Sequence, residues 1–520
     1  MFTSSESAKI KQFGKLIFTN PFSAERLDIE RQLLGSRHIQ RYRVWHSLNG
    51  ELSVNWNLPV IAELCNHLVD KGLALWEKGA FPRDGETLAA WDLLAVYWLF
   101  SKYSPAMSRN IYLAAEVEEK SSLLYDEFQQ DFDRLITCVP RKTPSIYSPE
   151  KIFALCHQVH RAFNYIFDFI AGGTSSAAEL RSSIWESIFT HDMGLYYRQL
   201  YNEMSHITTL ITGESGTGKE LAAQAISYSQ FIPFNSAERR FEFPYRECFH
   251  PVQLSAMPRS LIESELFGHV KGAFTGAIND RQGPFENCRA CECVFLDEIG
   301  EVPLDVQVKL LRLLQTRQFQ RIGDVELKSF GGKVIAATNS ELADGCQKGT
   351  FRQDLLFRIC SDTIRTVPLR TLLDGKEEEL RQFVTILAKR ILSSGDIQPF
   401  VDKCCKWIVA SLGMDYPWPG NVRELEQCLR NLLVRGTYTP LLKGGRIPPS
   451  DIGGQMADSG LDADELLRRY VQTLHCRGCS ILKVSRLSGL DRRTVKKYLD
   501  HGPMTPGSHQ KDLPSAPGPC

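Results

Sequence analysis

Between Thr208 and Tyr228 a β-branched run, a glycine-rich bend and a helical stretch follow one another without a gap, and that succession leaves few folds open. Thr208 to Thr212 reads as a strand. Gly213, Glu214, Ser215, Gly216, Thr217, Gly218 and Lys219 make the bend, and Leu221 to Tyr228 runs on as helix. A phosphate-cradling loop needs this context. Glycines let backbone N–H groups converge on phosphate oxygens, the helix N-terminus adds positive potential, and Lys219 brings a mobile charge for the terminal phosphates. Glu220 stands where many such loops carry a Ser or Thr that holds magnesium, so metal coordination must lean on the Thr217 hydroxyl, on water or on a second acidic motif.

CVFLDEIGE supplies that motif, an apolar strand ending in Asp297 and Glu298. Neighbouring residues at a strand end point in different directions, so Asp297 can face magnesium while Glu298 polarises an attacking water. With Lys333 to Ala337 as a third β-branched run, strands alternate with helical stretches from about residue 182 to 375, the pattern of a parallel sheet flanked by helices.

A chain of 520 residues is too long for one core, and the expected fold is multidomain. Residues 1–181 are mostly helical and carry no nameable motif. Lys151 to Ile170 shows the periodicity best, with Phe153, Cys156, Val159, Phe163, Ile166, Phe167 and Ile170 along one face. Nothing there resembles a phosphoacceptor receiver domain. Residues 376–436 read as helices alone, 437–463 as a Gly/Pro-rich linker, 464–502 as a compact basic helical module, and 503–520 as a tail too poor in apolar side chains to order. No leader-like or membrane-length apolar segment stands out, and the fifteen cysteines read as reduced thiols, so a cytoplasmic protein is expected.

With both motifs in hand, the chain resembles the AAA+ activators of sigma-54-dependent transcription, over about 182–436 and more weakly over 464–502. The most specific element is ELFGHVKGAFTGA, whose six-residue loop Gly272, Ala273, Phe274, Thr275, Gly276 and Ala277 defines that family. The resemblance implies an α/β P-loop AAA+ core and a helical lid, with the Phe274 loop touching the sigma factor. It also implies that Val302 to Asp324 forms a helix and second surface loop, that Asn339 reads the γ-phosphate, and that Arg352 and Arg358 are arginine fingers acting on a neighbour in a ring, a hexamer by family. Arg423, in WPGNVRELEQCLRNLL, resembles a second nucleotide sensor, and Asn421 with Glu424 reads as a variant capping box. Gln253 replaces the family's usual Asn, which puts the restraint on Glu298 in question. Cys288, Cys291 and Cys293 fall short of a structural zinc set, and the pair Cys476 and Cys479 beside His475 invites the same comparison.

Lys plus Arg and Asp plus Glu both number 61, so overall charge is silent about nucleic acid. Locally it is not: Leu466 to Asp500 holds nine Lys or Arg against two acids. SILKVSRLSGLDRRTVKKYL resembles a Fis-type helix-turn-helix that would present Arg492, Arg493, Thr494, Lys496 and Lys497 to a DNA major groove. The reading that follows is a regulator that binds upstream double-stranded DNA, uses ATP and Mg2+, assembles a ring and remodels sigma-54 RNA polymerase, with an input ligand or protein at residues 1–181 and no membrane. Two alternatives remain: a DNA-binding repressor whose ATPase controls only oligomerisation, and a P-loop metabolic kinase, which leaves the Phe274 loop and the basic module unexplained.

Overall fold

Five short runs pair side by side as a parallel sheet: β1 (Thr209–Thr212), β2 (Phe249–Gln253), β3 (Cys293–Asp297), β4 (Lys333–Thr338) and β5 (Asp362–Arg365), in the order β5-β1-β4-β3-β2. The computed structural model describes residues 2–39, 47–48, 51–52, 55, 57–82, 84–112, 117–139, 141, 144–392, 396–440, 467, 470–471 and 481–500. The chain forms two compact units, Met1–Leu442 and Lys443–Cys520.

The larger unit is built on the sheet. Both faces are covered, so the central strand β4 is buried at every position. Even Lys333 lies inside, its ammonium donating to the Ile207 and Met204 carbonyls at 2.6 and 3.3 Å. The three strands expected from β-branching are present, and β2 and β5 complete the sheet. Parallel strands aim their C-terminal ends the same way, so the loops after β1, β3 and β4 gather along one edge, where open α/β sheets bind ligands.

Among the described residues seven α-helices longer than three residues precede the sheet: α1 (Ser4–Phe18), α2 (Ala24–Leu34), α3 (Asn57–Glu77), α4 (Gly85–Tyr112), α5 (Val117–Phe132), α6 (Pro149–Phe169) and α7 (Ser175–Phe189). α6 contains the periodic stretch read from sequence. Ser148 accepts the Lys151 N–H and Pro149 occupies its first turn, a start signal with a fixed φ and no wasted donor. Its Ile152, Phe153 and Cys156 join the core of α1–α5, while Ala162, Ile166 and Phe167 join residues of β1, β3 and β4 in a second core. The boundary drawn at 181 falls inside α7, whose Leu180, Ile184 and Ile188 belong to that second core.

Beyond the sheet lie α12 (Glu377–Ile391), α13 (Gln398–Ser411) and α14 (Asn421–Arg435), preceded in chain order by α8 (Lys219–Tyr228), α9 (Arg259–Phe267), α10 (Leu304–Thr316) and α11 (Gln353–Ile359). The lid packing runs past residue 436, because Tyr438 is buried and donates its hydroxyl to Glu424 at 3.1 Å.

In the smaller unit α15 (Ile481–Ser488) and α16 (Arg492–Asp500) meet over Val471, Val484, Val495 and Tyr498. Gly489 turns the chain between them at φ +70°. Most of the linker, the His475, Cys476 and Cys479 group, and the tail 503–520 lie outside the described residues. Among the described residues no helix is long and apolar enough to cross a membrane.

Candidate functional site

Gly213 follows β1 at φ +148°, and a side chain there would strike the Thr366 hydroxyl at 2.1 Å. Gly216, at φ +78°, brings the loop so near the lid that a Cβ would sit 2.4 Å from the Gly420 carbonyl. The bend therefore depends on glycine for its curl and for its closeness to the lid. Gly218 leads into α8, so the loop ends on a helix N-terminus. Lys219 is buried, and its ammonium donates to the Gly213 carbonyl at 2.9 Å and lies 3.9 Å from Glu298 Oε1. Burial lowers its pKa, and the carboxylates of Glu298 and Asp297 work against that shift.

Asp297 ends β3, half-buried, and Glu298 follows in the left-handed region at φ 59°, ψ 56°. A non-glycine residue pays about 1–2 kcal/mol for that conformation, so the turn is held by its surroundings. The Asn339 backbone N–H donates to Glu298 Oε2 at 3.1 Å. Asn339 thus reaches the acid through its backbone, and its side chain is exposed. Gln253 sits directly beside Asp297 in the β2–β3 register, exposed at the end of its strand. Among the described residues the hydrogen bond to Glu298 comes from Asn339, and none comes from Gln253.

Thr217 corrects one expectation. Its hydroxyl donates to the Glu214 carbonyl and pairs with the Thr366 hydroxyl, both at 2.7 Å, so it is spent on holding the loop and is not set aside for a metal. Glu220, exposed in the first turn of α8, is near Gln224. Asp297 is a hard oxygen donor that could hold magnesium, an ion that takes one or two carboxylates plus phosphates and keeps several waters.

The lid grips the loop. Glu214 accepts from Arg370 at 2.5 and 2.9 Å and from Asn421 Nδ2 at 3.1 Å, and the Arg370 bond holds its carboxyl below the ordinary range. Asn421 also donates to the Ser215 carbonyl and accepts from the Leu369 N–H, and the Val422 N–H donates to the Gly216 carbonyl. The capping-box expectation is half right. Gly420 caps α14, Glu424 does reach back to the Gly420 N–H at 2.7 Å, but the buried Asn421 side chain is turned to the loop. Arg423 donates to the Ser215 hydroxyl at 3.1 Å, and Glu426 pairs with Arg430 instead. Arg370, Thr366 and this use of Asn421 escape a reading of the sequence, since each lies about 150 to 210 residues from the loop it holds.

Arg352 caps the N-terminus of the short helix α11 and Arg358 lies in its last turn, both exposed. Arg352 pairs with Asp354 at 2.7 Å, and Arg358 donates to the Leu314 carbonyl at 2.9 and 3.2 Å. Neither partner is a residue of the phosphate loop.

The Gly272–Ala277 loop tops a hairpin formed by Gly268–His269 and Arg281–Gln282. Gly272 and Gly276 both have positive φ, and the Gly272 N–H donates to the Ala277 carbonyl, closing the turn. Phe274 is 38% exposed against the His269 ring, and Thr275 is exposed. The second loop, Arg321 to Leu327, lies alongside through a Val270 N–H to Ile322 carbonyl bond and adds exposed Val325 and Leu327.

The cysteines fall in different cores: Cys293, the first residue of β3, packs with residues of α6 and α7, while Cys288, which precedes the strand, belongs to the core on the other side. Cys288 instead meets His250 and Glu292, whose ligand-type atoms lie within 4.8 Å of one another, with His250 Nε2 and Glu292 Oε2 paired at 2.8 Å. In the smaller unit Asp491 caps α16, accepting from the Arg493 and Thr494 N–H groups and the Thr494 hydroxyl. Arg492, Arg493, Lys496 and Lys497 are exposed, and Thr494 is half-buried.

Residues 190–365 match the Sigma-54 interaction domain model. Among curated relatives, a "Signal-transduction and transcriptional-control protein" of Clostridium beijerinckii is 33% identical over 399 residues, 73% of this chain and 57% of that one. The Regulatory protein AtoC of Escherichia coli K12 is 41% identical over 250 residues, 47% of this chain and 49% of its own. The Nif-specific regulatory protein of Azotobacter vinelandii is 37% identical over 297 residues, 55% and 53%. The chain thus spans about half the length of the curated relatives it matches. A solved NtrX from Brucella abortus overlaps 72% of this chain and 79% of its own at 21% identity and a TM-score of 0.39, too loose a likeness to weigh. The chain thus carries a Sigma-54 interaction domain at residues 190–365 and is similar to transcriptional regulators that include AtoC and the Nif-specific regulatory protein.

Proposed function

We propose that the chain is an ATPase that binds upstream double-stranded DNA through α15 and α16, assembles a ring, and couples ATP hydrolysis to remodelling of the sigma-54 RNA polymerase closed complex. The observation that carries this reading is the single connected path Lys219–Glu298–Asn339 at one edge of the sheet, in a domain that also displays Phe274 on a glycine-bracketed loop. Loop amides and Lys219 hold the phosphates, Glu298 takes the proton of the attacking water, and Arg423 and Asn421 report the loop's state to the lid. Asp297, at the end of β3, would hold Mg2+, which when bound would offset the charge of the phosphates.

Thr275→Ala removes an exposed hydroxyl from the Gly272–Ala277 loop and leaves the residues of the phosphate loop unchanged. ATP turnover is expected to stay within about twofold, the noise of surface substitutions, while open-complex formation with sigma-54 polymerase is lost. Normal open-complex formation by Thr275→Ala would favour the repressor reading, in which ATP controls assembly alone.

Replacing Arg492 and Arg493 by Ala removes two exposed cations beside the α16 N-terminus. DNA affinity should fall, and the slope of log K against log salt should flatten by up to about 2, roughly 0.9 for each phosphate no longer neutralised. An unchanged slope in a filter-binding or anisotropy titration removes α16 from the DNA interface.

A further inference from the structure

Between α1, α4, α6 and α7 lies a partly open cavity of about 250 Å3, walled by Phe18, Tyr97, Phe100, Leu155, Val159 and Phe163 among others. Its surface is overwhelmingly apolar, yet three of its wall residues carry a buried polar atom without a partner in the protein: His160 Nε2, Asn164 Nδ2 and Trp185 Nε1. All three residues are at least nine-tenths buried. Buried polar groups are almost always paired, so three exceptions around one space call for a reason. An engineered apolar cavity of about 150 Å3 already takes up benzene, so this one has room for a larger ring.

We propose that this cavity is the chain's input site and takes a small, uncharged, mostly apolar ring compound bearing one or two polar substituents. Ring shape follows from the walls: the His160 imidazole is stacked on Phe100 at 4.6 Å and 7°, and a third of the lining residues carry rings. Neutrality follows from the charges. The one ionisable cation in the wall, Arg26, is already bonded to Glu30 at 2.8 Å and to the Leu16 carbonyl, and burial holds His160 uncharged with its pKa near 4. A charged ligand would enter without a counter-ion. Polar substituents would find His160, Asn164 or Trp185.

The same helix connects the cavity to the phosphate loop. Leu155, Cys156 and Val159 of α6 line the space, while Gln158 and Arg161 between and beyond them donate to the Ser229 and Gln230 carbonyls at 2.8 Å, immediately after α8. A ligand that shifts α6 therefore moves the end of the helix that begins at Lys219. This regulatory half rests on the ATPase reading above, whereas the binding half does not.

The test uses the full chain with toluene, phenol and indole as neutral probes and benzoate as the charged control. Neutral probes are expected to raise the melting temperature by about 2–4 °C at saturation and to change basal ATP turnover at least twofold, and benzoate to do neither. Val159→Trp and the milder Leu155→Phe fill the space, keep basal turnover and lose both responses. No thermal shift with any neutral probe, an equal shift in both filled variants, or an equal response to benzoate overturns the site. A thermal shift with unchanged turnover overturns its role as input. Absence of turnover in the untreated chain counts against the ATPase reading and leaves the thermal result to judge the cavity.

Discussion

Glu298→Gln keeps nucleotide binding and loses ATP turnover by about 10²–10⁴-fold, the range a positioned general base contributes. The amide matches the carboxylate in shape but takes no proton from water. Shape matters here because Glu298 is in the left-handed region and is oriented by the Asn339 N–H, a donor that the amide oxygen still satisfies. Binding survives because the loop amides and Lys219 do that work, and Lys219 loses a carboxylate 3.9 Å away that competes with phosphate for its charge. Nucleotide affinity should thus hold or tighten while steady-state phosphate release collapses. Turnover at the unsubstituted rate would take Glu298 out of the chemistry and return the acid pair to a solvated strand end.

Arg358→Ala and Arg352→Ala are each expected to cost about 10³-fold or more in turnover of the assembled protein, within the range for arginine fingers. The geometry gives the reason for expecting action in trans. Both side chains are exposed, and their partners are the Leu314 carbonyl and Asp354 rather than the phosphate loop of their own subunit. Neither partner holds its arginine firmly, since water competes for an exposed ion pair and a single carbonyl. Mixing decides the matter. Arg358→Ala subunits retain Glu298, Glu298→Gln subunits retain Arg358, and a mixed ring places an intact acid against an intact arginine at some interfaces. Turnover recovered on mixing two inactive variants shows donation across subunits. No recovery, with both variants demonstrably in one assembly, sinks that mechanism.

Much of the site is readable from sequence because its parts are local. A strand, a glycine bend and a helix occupy twenty-one consecutive residues from Thr208 to Tyr228, Asp297 and Glu298 are adjacent, and Phe274 stands between nearby glycines. α6 announces itself by period and by the Ser148–Pro149 start. β2 and β5 are harder: FHPVQ carries a proline and no strong alternation, and β5 is four residues long, so what makes them strands is the pairing with β3 and β1. The Thr217 hydroxyl misleads for a related reason. Chain position offers it to a metal, and Thr366, 149 residues on, claims it.

The residues by themselves determined what short-range stereochemistry dictates: a loop able to curl around phosphate, an acid pair at a strand end, an apolar ring on a glycine-bracketed finger and a basic second helix. Tertiary structure alone decided which distant groups complete them. Asn421 crosses 207 residues to reach Glu214, Glu298 takes its orientation from Asn339, and the cavity beside α6 exists because four helices leave a space that no local pattern encodes. Hydrogen bonds and voids of that kind depend on how elements pack, and packing is settled by the whole core at once.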